Sequence, residues 1–101
     1  MSDSTLSYAA AAVLHAIRCG RSYGFEIMEV TGLPSGTVYP ALRRMEKTGM
    51  IRAAWERESA ARAEQRPARR YYRVTPAGES ILAAAAGRYR LPDFAAADTS
   101  R

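Results

Sequence analysis

SGTVYPALRRMEKTGMI, residues 35–51, divides cleanly into two faces when wound as a helix. At roughly 100° per residue, Val38, Ala41, Leu42 and Met45 gather on one side. Gly36, Pro40, Arg43 and Lys47 fall opposite, flanked by Tyr39 and Arg44. The division predicts a helix from near Ser35 to Thr48–Gly49. Glycine supplies the left-handed conformation that ends it, and Lys47 complements the dipole. Pro40 lies just past the first turn, so one backbone hydrogen bond is lost or the opening turn loosens. Ser35, Gly36 and Thr37 suit a helix cap, and the free N–H groups there suit a phosphate as well.

Upstream, residues 6–19 (LSYAAAAVLHAIRC) predict a first helix with Thr5 or Ser7 as N-cap and Gly20 as stop. Leu6, Ala10, Val13, Leu14 and Ile17 recur on it as an apolar stripe for the core or a partner. YGFEIMEV, residues 23–30, predicts a short second helix with Phe25, Ile27 and Met28 facing inward, broken by Thr31-Gly32-Leu33-Pro34. Downstream, IRAAW and RRYYRV predict two strands, in which alternation groups Ile51, Ala53 and Trp55, and Tyr72 with Val74. The connection, RESAARAEQRPA at 57–68, has no glycine, so it predicts an extended, mobile projection. Thr75 as N-cap, Pro76 at the first helical position and Glu79 open a last helix, expected to reach Tyr89 or Arg90 before Leu91-Pro92 stops it. The expected class is mainly α with a two-stranded β-hairpin. Its element order is that of a winged helix-turn-helix, with residues 1–91 forming the domain and 92–101 a disordered tail.

Composition points the same way. The chain has 101 residues, of which twenty are alanine and sixteen are Leu, Ile, Val or Phe. So few large apolar side chains make a lone subunit marginal and favour a second copy sharing the helix stripes. The expected dimer surface is Leu6, Ala10, Val13, Leu14 and Ile17 on the first helix, with Ile81, Leu82, Ala85 and Tyr89 on the last. The net charge is +5, and fourteen of the fifteen basic residues are arginine. Residues 43–73 hold ten of the fifteen against four glutamates. A focused arginine patch favours a polyanion, because the planar fork suits phosphate oxygens and guanine edges.

Other classes find little support. No apolar run approaches the ~20 residues of a membrane span, and the start lacks the basic opening of a signal peptide, so a cytoplasmic location is expected. Cys19 is the sole cysteine, which excludes an internal disulfide and a zinc finger. His15 and Cys19, four apart on the first helix, could build a metal site across a two-fold axis, the basis of a metal-sensor reading. A helical histidine and a buried thiol are the simpler reading, and no cofactor is expected. The single histidine has no nucleophile or carboxylate at a suggestive spacing, so no enzyme is expected.

The quoted run, together with RPARRYYRVTPAGE after the loop and YGFEIMEVTGLP before it, resembles the PadR family of bacterial transcriptional regulators over residues 6–90. The resemblance implies a homodimeric repressor that reads an inverted-repeat operator in double-stranded DNA and is released by a small aromatic effector. The charge map makes Arg43, Arg44 and Lys47 on the third helix and Arg62, Arg66, Arg69 and Arg70 in the hairpin loop the expected DNA contacts, with Ser35, Gly36, Thr37 and Pro40 at the helix start. Tyr39 fits packing against the first helix as well as a phosphate contact, which the family pattern favours. Trp55 and Tyr89 are the effector candidates. Family wings commonly carry glycine where Arg66 stands, and a single helix after the hairpin matches the short subfamily. The rival reading is a winged helix used as a protein-interaction module, its basic wing meeting an acidic partner.

Overall fold

The computed structural model describes residues 6–94. Three helices, α1 (Tyr8–Arg18), α2 (Gly24–Thr31) and α3 (Ser35–Lys47), are followed by strand β1 (Ile51–Trp55). A short helix α4 (Glu58–Ala63), strand β2 (Arg70–Val74) and helix α5 (Pro76–Ala86) complete the order. This is the expected winged arrangement, mostly helical with an antiparallel hairpin. Among the described residues no helix is long and apolar enough to cross a membrane.

The core forms where the predicted stripes meet. Val13, Leu14, Ile27, Val38, Leu42, Met45 and Ile51 are the largest fully buried side chains. The alanines of α1 are not filler: Ala11, Ala12 and Ala16 are buried, and their small size lets neighbouring helices approach closely. Ser7 caps α1 through its side chain, accepting from the Ala10 N–H at 3.1 Å. Gly32 closes α2 in the left-handed conformation at φ 74°.

The hairpin pairs Ile51 with Val74, Ala53 with Tyr72 and Trp55 with Arg70. A further rung lies outside the predicted strands, where Tyr72 N–H donates to the Ser22 carbonyl at 2.8 Å and Tyr23 bridges to Tyr71. The segment between α1 and α2 thus edges the sheet. At the other end Thr75 ties the hairpin to α5. Its hydroxyl donates to Gly49 O at 2.6 Å and accepts from Gly78 N–H at 3.1 Å.

Several expectations give way to the packing. Leu6, Ala10, Val13, Leu14, Ile17, Leu82 and Ala85 were assigned to a subunit interface, yet all are buried within one chain. Their stripe is used up because α1 is surrounded by α2, α3, α5 and β2. Helix α5 ends at Ala86, short of Tyr89, because Gly87 caps it and the chain turns back. Tyr89 then donates its hydroxyl to Leu6 O at 2.7 Å and meets Tyr8 edge-on. That contact holds the half-buried tyrosine against the start of its own first helix.

Residues 92–94 were expected to be disordered, but they pack as a strap over α1. His15 Nε2 donates to Pro92 O at 2.7 Å, Arg21 Nε donates to Phe94 O at 2.8 Å, and the Phe94 ring is buried against His15. The rest of the expected tail lies outside the described residues. Phe25 and Trp55, expected inside, are 60% and 65% exposed, because the core ends before the tip of the hairpin and the start of α2.

Candidate nucleic-acid interface

Helix α3 offers the cations. Arg43, Arg44 and Lys47 are exposed on the side away from Val38, Leu42 and Met45, and none of them has an ion-pair partner among the described residues. Pro34, rather than Ser35, is the N-cap, and no side chain caps the helix. Ser35 and Gly36 are exposed at its first turn, with Thr37 half-buried. Pro40 sits half-buried within α3, so the Gly36 carbonyl lacks its usual partner four residues on.

Tyr39 is 39% exposed. Its hydroxyl and ring edge occupy the space that a Cβ on Gly24 would need, so the Gly of YGFEI is what lets α3 lie this close to the start of α2. The tyrosine is therefore a packing residue that still presents an edge to solvent.

The hairpin stands beside α3, and the two are joined by an ion pair in which Arg70 Nη2 donates to Glu46 Oε2 at 2.6 Å. The Arg70 guanidinium also lies 5.5 Å from the Trp55 ring centre. Arg69 stacks over Tyr23 at 4.1 Å, and its guanidinium is pushed above its ordinary pKa, chiefly through a hydrogen bond with Tyr71. Between the wing and the starts of α2 and α3 runs a trough of about 520 Å³. Phe25, Tyr39, Trp55, Arg69 and Tyr72 line it.

The connection 57–68 is a folded lobe, not an extended projection. It contains α4, whose Ala61 is buried, and it closes on Glu56. The Glu56 carboxylate accepts from both Arg66 Nη atoms, at 2.7 and 2.9 Å, and from the Arg69 N–H at 3.1 Å. The Arg66 hydrogen bond foremost holds the Glu56 carboxyl down at about 2, from an ordinary 4.5. Arg66 was read as a phosphate contact; its fork faces inward to Glu56 and Glu64 instead. Arg62 points outward, with Glu58 only loosely near at 3.8 Å, and Arg57 is exposed beside it.

The sequence reading passed over two cations on the hairpin face. Arg52 and Arg73 are exposed and directly opposed in the antiparallel register. The alternations that group Ile51 with Ala53 and Tyr72 with Val74 leave Arg52 and Arg73 on the other face. Like charges so placed repel, and an anion between them would relieve the repulsion.

His15 and Cys19 do approach each other, Nε2 to Sγ at 3.6 Å, but among the described residues no three His, Cys, Asp or Glu side chains converge as a metal site would need.

Comparison with known proteins bears on this geometry. Residues 13–84 match the family described as "Transcriptional regulator PadR-like family". The chain is similar to the crystal structure of a PadR family transcription regulator from Clostridium difficile R20291, with a TM-score of 0.71 and 26% identity over 83% of this chain and 88% of that one. It is similar to a transcriptional regulator from Clostridium thermocellum, with a TM-score of 0.68 and 27% identity over 80% and 79%. A PadR-like transcriptional regulator from Bacillus cereus gives 0.62 and 26% over 78% of each chain. No curated protein matches.

Proposed function

This chain belongs to the PadR-like family of transcriptional regulators, and from that premise we propose that it is a cytoplasmic homodimeric repressor that binds an inverted-repeat operator and is released by a small aromatic effector. Regulators of this family are DNA-binding proteins, not enzymes. The observation that carries the reading is the outward face of α3, where Arg43, Arg44 and Lys47 have no ion-pair partner among the described residues, beside a hairpin that is itself basic. A bidentate arginine can read guanine O6 and N7, and the remaining cations can take phosphates. In this reading Arg43 reaches a base edge. Arg44, Lys47, Arg57 and Arg62 hold the backbone, joined by Arg69 and Arg70 at the wall of the trough. The first turn of α3, at Ser35, Gly36 and Thr37, takes a phosphate through its N–H groups.

Two copies are needed to read both halves of an inverted repeat. With the α1 stripe buried, we place the pairing on the outer side of α5, where Ala83, Ala84 and Ala86 are exposed and Ile81 is half-buried. The effector reading rests on the trough. Its exposed Trp55 and Phe25 offer apolar faces to a planar ring. Footprinting on the promoter of the chain's own gene tests the proposal. Two protected stretches related by a two-fold axis are expected, and uniform protection at all concentrations refutes operator binding.

A further inference from the structure

The lobe at the tip of the hairpin contains an acid at its centre, an unexpected choice for a surface that meets a polyanion. Glu56 is placed to gather the lobe from three sides. Its N–H donates to Arg69 O at 2.7 Å, its carboxylate accepts from Arg69 N–H at 3.1 Å, and both its oxygens take the Arg66 fork. Arg66 in turn donates to Glu64 at 3.3 Å and to Pro67 O at 3.2 Å, and its own N–H donates to Ala61 O at 3.2 Å. One carboxylate thus links both ends of the segment 57–68 to the C-terminal end of α4. The Arg66 and Glu56 side chains are only 20% and 12% exposed. Arg62, on the same short helix, is 75% exposed. The ion pair is the inside of the lobe and the loose arginines are its outside.

We propose that Glu56 is a positioning residue for nucleic-acid binding: through Arg66 it holds α4 so that Arg57 and Arg62 stand fixed toward the phosphate backbone. The inference rests on the DNA-binding reading given above. It also makes a claim that charge alone contradicts. Neutralising an acid on a basic protein raises its attraction for a polyanion, so removing Glu56 should tighten binding if the residue were only a surface charge. If the residue positions the lobe, removing it weakens binding, because two mobile arginines must then be ordered at each encounter.

Four full-length proteins separate the cases: the wild type, Glu56→Gln, Glu58→Gln and Arg66→Lys. Each is titrated against a promoter duplex by fluorescence anisotropy over a range of salt. Glu58→Gln removes the same charge from an 86% exposed side chain and is expected to bind as tightly as the wild type or slightly tighter. Glu56→Gln is expected to bind about fivefold or more weakly, with a flatter salt dependence. Arg66→Lys keeps the charge but loses the fork and is expected to weaken binding in the same way. Brief trypsin digestion without DNA gives an independent readout. Cleavage after Arg57 and Arg62 should be slow in the wild type and fast in Glu56→Gln and Arg66→Lys. Binding by Glu56→Gln that equals or exceeds the wild type overturns the positioning role while leaving the DNA reading intact. A wild type that binds no duplex removes the DNA reading, and the positioning role falls with it.

Discussion

Arg70 of β2 takes the Glu46 carboxylate at 2.6 Å, while Arg43, one turn earlier on α3, has no ion-pair partner among the described residues. The pair fastens the hairpin to the helix by its acidic residue, and the helix's outward arginine remains for a ligand. Arg43→Ala is therefore expected to cost about 1–3 kcal/mol in operator affinity and to blur base preference at one position of each half-site. A binding selection over randomised half-sites reads both effects. Equal losses on specific and random duplexes would remove Arg43 from base recognition.

Arg62 and Arg57 belong to a different term. Each phosphate neutralised contributes about 0.9 to the slope of log affinity against log salt, so Arg62→Ala or Arg57→Ala should flatten that slope by up to about one unit while leaving sequence preference unchanged. Anisotropy titrations at several salt concentrations give the slope directly.

Two glycines should respond differently to the same added methyl. A Cβ on Gly78 would run into the backbone carbonyl of Met50, which cannot move without shifting the joint between the hairpin and α5. Gly78→Ala is expected to destabilise the fold by about 1–3 kcal/mol, seen as a lower midpoint in urea. The atoms nearest a Cβ on Gly24 are all at the tip of the Tyr39 ring. Gly24→Ala should displace that ring outward, with a smaller loss of stability and a larger loss of duplex affinity. Midpoint and affinity measured on both variants distinguish the two.

Acid should loosen the lobe in a defined order. The Glu56 carboxyl is held at about 2 in the fold against 4.5 ordinarily, so its contribution to stability is fully present above about pH 4.5 and disappears as the pH falls through 2. Thermal unfolding of the wild type and Glu56→Gln between pH 6 and 2 should show the wild-type advantage shrinking toward the acid end. An advantage constant across that range contradicts the assigned pairing.

The parts of this molecule that were legible in the sequence are those fixed by local periodicity and caps. The two faces of α3 and the Thr75-Pro76 start of α5 follow from spacing alone. What was missed depends on residues far apart in the chain. The ion pair of Glu56 with Arg66 spans ten positions, and the Ala61 plug is one alanine among many, so the lobe resembled an open charged loop. Phe94 is a lone aromatic without periodic neighbours, and nothing local announces that it folds back onto His15. The alternation that placed Trp55 with Ile51 was correct about the face, yet the helices cover only the base of the hairpin, so the tip residue stays in solvent.

The central claim is that the outward side of α3 enters a groove of duplex DNA. The most direct measurement is fluorescence anisotropy on a labelled duplex from the chain's own promoter, with excess random-sequence competitor present, for the wild type and for a triple variant of Arg43, Arg44 and Lys47 to alanine. Saturable, competitor-resistant binding by the wild type and its loss in the folded triple variant is the predicted result. Wild-type binding that random competitor abolishes, or that survives the triple substitution, contradicts the account.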